Sequence, residues 1–167
     1  MRVTYGEGFA VAPVRPMAER VARLDRIAIN VPQTDCPVRH YFAPGLYARE
    51  MTIPADTYVS GAVHKTENLI VVSRGRLRIV TDEGTRDVSA GDTFTCRAGM
   101  KNAVVTLEDS RWTNFFANPT NETDTDKLTE ILTTSKACEL LGGSENAQML
   151  NLQRNELLKK ETPWLME

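Results

Sequence analysis

The feature that most constrains this chain is a series of short β-like runs between Gly45 and Asn118, each closed by turn-forming residues. Leu46–Ile53, Tyr58–Val63, Leu69–Ser73, Arg76–Thr81, Thr85–Val88, Thr93–Cys96, Ala103–Leu107 and Arg111–Ala117 read as strands, because they are short and rich in β-branched and aromatic residues. Pro54-Ala55-Asp56 ends the first run, and Asp82-Glu83-Gly84 is a tight hairpin signal. Ala90-Gly91-Asp92, Arg97-Ala98-Gly99 and Glu108-Asp109-Ser110 separate the later runs. About eight short strands at near-regular spacing predict a mainly β domain: a sandwich, a barrel or a jelly roll.

The flanks have a different period. Residues 1–15 read as an extended arm, and Pro16 opens a short helix to Arg26 with Met17, Val21 and Leu24 on the face that packs on the sheet edge. After Asn118-Pro119, Thr123 or Asp124 caps a helix with Asp126 in its first turn. Leu128, Ile131, Leu132, Ser135 and Cys138 recur along it at helical spacing, and Gly142-Gly143 ends it. Ser144 caps a second helix to about Lys160. The organisation is therefore an N-terminal arm and helix over 1–44, a β-barrel over 45–118 and a helical extension over 119–167. Leu157, Leu158, Trp164 and Leu165 make the tail apolar, and such a patch needs cover. They are the candidate contacts of a homo-oligomer, or of another protein.

Totals exclude several classes of function. A net charge of −2 leaves no whole-chain basic field for nucleic acid. No apolar run approaches the ~18–20 residues of a membrane span, and Met1–Arg20 has no signal-peptide core. Cys36, Cys96 and Cys138 are odd in number and far apart, so they read as free thiols of a cytoplasmic protein. The two histidines, His40 and His64, rule out any mechanism that needs three imidazoles from one chain.

The spacing within the β region resembles that of the small cupins. Their first motif is Gly, five residues, His, one residue, His, three or four residues, Glu, six residues, Gly; here it falls on Asp56, Ala62, His64, Asn68 and Gly75. Their second is Gly, five residues, Pro, one residue, Gly, two residues, His; it falls on Gly91, Arg97, Gly99 and Asn102. The resemblance covers roughly residues 45 to 118 and implies a jelly roll. In that family the three histidines and the glutamate hold one divalent metal. Here the same positions are Ala62, His64, Asn68 and Asn102. Alanine offers no ligand, and amide oxygens bind a transition metal weakly. The resemblance therefore implies a scaffold without its metal and with no cofactor. His64, Asn68 and Asn102 are either satisfied polar residues of a plugged barrel, which is the ordinary expectation, or the lining of a pocket for a small polar ligand.

Other residues are weaker candidates. Arg49 shares strand parity with Tyr47, Met51 and Ile53; if that face is inward, Arg49 is a buried cation needing a partner. An acidic side chain of the chain is the ordinary partner and an anionic ligand the other. Cys36 and His40 lack a second ligand pair and read as a loop thiol and a surface imidazole. Glu67 neighbours Asn68, but alternation points it to the opposite face. Trp112, Asn114 and Phe116 alternate with Arg111, Thr113 and Phe115, as on any two-faced strand.

A second, looser resemblance is to uncharacterised cupin-like proteins of tailed bacteriophages, carried by the runs from Cys36 to Glu50 and from Ala117 to Asp124. It implies a viral setting, in the virion or in the host cytoplasm, and no particular chemistry. The expected function is binding or assembly without metal. A cupin enzyme (a dioxygenase or isomerase) with an unusual ligand set around His64 is one alternative, and a small-molecule sensor or sequestering protein is the other.

Overall fold

Each expected strand forms, and each is antiparallel to its neighbours. The computed structural model describes residues 17–28, 30–81 and 84–134. Among these, helix α1 (Met17–Ala28) precedes β1 (Val38–Ala43), β2 (Gly45–Ile53), β3 (Tyr58–Ser60), β4 (Asn68–Arg74), β5 (Arg76–Thr81), β6 (Gly84–Ser89), β7 (Thr93–Cys96), β8 (Ala103–Thr106), β9 (Ser110–Asn118) and helix α2 (Thr125–Leu132). One sheet runs β1-β2-β9-β4-β7 and the other β3-β8-β5-β6. Counted from β2, each successive strand crosses to the other sheet except at the β5–β6 hairpin, and the last returns beside the first. This double Greek key is a jelly roll.

Turn residues make the crossings possible. Gly75 joins β4 to β5 with a φ of 77°, a left-handed conformation that a Cβ disfavours. Asp56, at the position where the first cupin motif has glycine, also has a positive φ, 55°. Aspartate is among the few side chains that tolerate that region.

Between the sheets lie Met51, Ile53, Ile70, Val72, Leu77, Ile79, Val88, Cys96, Val104 and Trp112. Their alternation along the strands is what the sequence pattern anticipates. A second cluster forms at one end of the barrel, where Leu128 and Leu132 of α2 pack on Tyr47 and Phe116. Asp124 caps α2 by accepting from the backbone N–H groups of Asp126 and Lys127.

Four expectations are corrected. The arm before Gly45 contains a strand, β1, which pairs with β2 along its whole length. Its side chains are mostly exposed, so no hydrophobic alternation announces it. Leu24 does not pack on the sheet: it is 48% exposed, whereas Val21 is buried. Helix α1 is held instead by Asp25, which accepts from the Tyr58 hydroxyl at 3.2 Å and pairs with Lys101 at 2.7 Å. The helix after Asp124 stops at Leu132 rather than continuing past Ser135. Thr133 turns extended and bridges His64, Lys65 N–H donates to Leu132 O and Thr134 N–H to Val63 O. β-Branched Thr133 and Thr134 resist helix weakly, and pairing with the barrel outweighs the remaining helical periodicity. Finally, Cys36 is a core residue, 5% exposed, rather than an open loop thiol. The extended arm over 1–15, Cys138, the second C-terminal helix and the contacts proposed for Leu157, Leu158, Trp164 and Leu165 lie outside the described residues.

Candidate functional site

The barrel is not plugged. A cavity of about 100 Å³ opens between the sheets beneath α2. β2 supplies Tyr47, Arg49, Met51 and Ile53, its inward-facing alternate residues. Across the β2–β9 ladder these face Phe116, Asn114, Trp112 and Ser110 in turn. Asn102 and Val104 line the opposite sheet, with Ala62 and His64 from the segment after β3. Leu128, Thr129, Leu132 and Thr133 close the mouth.

Tyr47, Arg49, His64 and Asn102, singled out from the sequence, therefore meet around one space. Asn68 does not line it. It is buried one step behind, where its Oδ1 accepts from Asn114 Nδ2 at 2.8 Å. Glu67 is exposed, as alternation requires. Trp112, Asn114 and Phe116 are the wall residues that sequence reasoning missed. Their parity was visible, but which face turned inward was decided by the register against Tyr47, Arg49 and Met51.

The electrostatics of the cavity centre on Arg49. No ion pair or hydrogen bond joins its guanidinium to any side chain among the described residues. The polar groups around it are committed elsewhere. Asn114, opposite it in the ladder, accepts from Trp112 Nε1 at 2.6 Å and donates to Asn68. The Tyr47 hydroxyl is bonded to His40 Nδ1 at 2.8 Å. Burial pushes the Arg49 pKa below its ordinary value, with Tyr47 and Cys36 opposing. It also raises the Tyr47 hydroxyl, although Arg49 opposes this, and pushes the Cys36 thiol up to about 11. Burial, assisted by Arg49, lowers the pKa values of His40 and His64. At neutral pH these neighbours are thus uncharged, and no acidic side chain among the described residues is paired with the positive charge of Arg49 in the cavity.

His64 packs against Phe116 at 5.5 Å between ring centroids, and its Nδ1 is buried without a partner. Its pKa is lowered to about 4. The unfolded chain takes up this proton near pH 6.5, while the folded protein refuses it until about pH 4. Between those values the unfolded state binds more protons, so stability falls as pH falls. The expected loss is about 2–3 kcal/mol between pH 7 and 4. His64→Ala should fold at pH 7 and lose most of that slope in urea titrations. An unchanged slope would remove His64 as its source.

The motif positions do not fit a divalent transition metal. They offer one imidazole, two amides and a methyl group, where such a site normally needs three strong ligands. Among the described residues no three His, Cys, Asp or Glu side chains are grouped to hold an ion. The nearby Cys96 thiol is raised in pKa by burial, against weaker opposition from Asn102 and Asn68. It is a protonated core thiol rather than a thiolate ligand. No helix among the described residues is long and apolar enough to cross a membrane.

No family model matches the chain, and no curated protein matches it. Solved structures similar to it include KdgF from Halomonas sp., at 19% identity and a TM-score of 0.45 over 53% of this chain and 80% of that one. Another is the cupin_2 domain of an XRE family transcriptional regulator from Enterobacter cloacae, at 12% identity and a TM-score of 0.45 over 52% and 99%. A third is the oxalate decarboxylase formate complex of Lactobacillus farciminis, at 19% identity and a TM-score of 0.46 over 57% and 34%. These are likenesses of fold.

Proposed function

We propose that this chain is a metal-free binding domain of cupin type whose cavity takes a small organic anion on Arg49. The observation that carries this reading is the half-buried Arg49 guanidinium, which lines an apolar-walled cavity and pairs with no carboxylate among the described residues. A cation withdrawn from water costs free energy unless an anion compensates. Where the described residues supply none, a ligand carboxylate is the natural counter-charge, and guanidinium bonds it in a bidentate fork. The role is capture or sensing rather than metal-dependent turnover. The bacteriophage resemblance would place it in the infected cell or the virion, and self-association through the C-terminal segment belongs to the same proposal.

Two measurements test the reading. Protein purified without chelators or a histidine tag should contain far less than one equivalent of manganese, iron, nickel or zinc. Near one equivalent of any of them overturns the metal-free assignment. In thermal denaturation, butanoate should stabilise the protein and its neutral amide should not. At a concentration a hundred times the dissociation constant the gain is about 2.7 kcal/mol. Equal responses to acid and amide would remove Arg49 as the anchor.

A further inference from the structure

We infer that the anion is a hydroxy acid, its carboxylate held by Arg49 and its hydroxyl donated to the Oδ1 of Asn102. This rests on the reading of Arg49 just given and adds the second polar group of the ligand. Asn102 is 6% exposed and lines the cavity, yet its Oδ1 has no hydrogen-bond partner. A buried acceptor left unpaired is costly, and such groups normally have a partner.

The orientation of that amide follows from its other end. Asn102 Nδ2 lies 3.3 Å from Cys96 Sγ, and the thiol proton itself goes to Arg97 O at 3.9 Å. The sulfur is therefore the acceptor, the amide nitrogen faces it, and the carbonyl oxygen is left over. His64 Nδ1 is a second buried polar atom without a partner in the same lining.

The chemistry of these groups narrows the ligand. Asn102 Oδ1 accepts only, so the complementary group must donate. A second carboxylate has no proton to give at neutral pH. An ammonium donates, but it is repelled by Arg49. A hydroxyl donates to Asn102 and, in the tautomer that protonates His64 Nδ1, also accepts from that nitrogen. Met51, Val104 and Trp112 also line the cavity and suit a short hydrocarbon body. A cavity of about 100 Å³ is smaller than the roughly 150 Å³ that holds benzene, so the body is compact.

Calorimetry on the full chain with butanoate, 3- and 4-hydroxybutanoate and their methyl ethers tests this. At least one hydroxy acid should bind ten times or more tighter than butanoate, and its ether, which cannot donate, should lose that advantage. In Asn102→Ala the preference for the hydroxy acid over butanoate should disappear. If that variant fails to fold, the ether comparison on the native protein decides alone. Butanoate and both hydroxy acids binding alike would overturn the hydroxyl assignment and leave the anion site standing. Binding of none of the acids would overturn the anion site itself.

Discussion

Arg49→Met should make the protein more stable and abolish its affinity for small carboxylates. The two effects have one cause. The guanidinium is half-buried in the cavity wall, and no carboxylate among the described residues compensates it. Methionine keeps an unbranched stem that can pack along Met51 and Tyr47 while removing the charge. Replacing a half-buried charge that lacks a counter-ion with an apolar side chain should raise unfolding stability by about 1 kcal/mol. Losing a bidentate, charge-assisted contact should weaken butanoate binding by about a hundredfold or more. The His64 pKa, held down partly by Arg49, should rise, and the loss of stability between pH 7 and 4 should become shallower. Urea titration and calorimetry on the same preparation check all three. Marked destabilisation of the variant would mean that Arg49 is paired in the native protein, and the anion site would fall with it.

Gly75→Ala should be the most damaging single-methyl change in the barrel, costing about 3 kcal/mol or more. A Cβ at this position would overlap the carbonyl oxygen of Asp109 and lie 2.5 Å from Ser110 Oγ and 2.9 Å from the Asp109 carbonyl carbon. Those atoms cannot step aside. Ser110 is 1% exposed and its hydroxyl donates to Glu108 O at 2.7 Å. Gly75 O in turn accepts from Ala90 N–H at 2.9 Å. The φ of 77° adds its own penalty. Gly99→Ala separates the two contributions, because Gly99 has a φ of 79° and a Cβ there would meet nothing within 4 Å. That control should cost only about 1–2 kcal/mol. Equal losses in thermal or urea denaturation would show that close approach to Asp109 contributes nothing.

Much of the fold was legible because the information is local. Strand positions from β2 to β9 follow from short alternating runs and from turn residues that few other side chains can replace. The cupin spacing located Asp56, Gly75, Gly91 and Gly99, and all four have positive φ. The sequence likewise identified Tyr47, Arg49, His64 and Asn102, because an inward parity on β2 and two motif positions marked them before any neighbour was known.

Tertiary structure decided the rest, because it depends on residues far apart in the chain. β1 is recognisable as a strand only through its partner β2; an exposed edge needs no apolar period. Helix α2 ends at Leu132 because the chain pairs there with His64, some seventy positions earlier. Whether the barrel was plugged turned on how Leu128, Leu132 and Phe116 pack, leaving a space instead of filling it. The decisive property of Arg49, a cation with no acidic partner among the described residues, cannot be read from a chain containing 22 acidic residues. Composition counts charges, but only the fold sets which of them come within a few ångströms of one another in a dry interior, where a missing partner costs most.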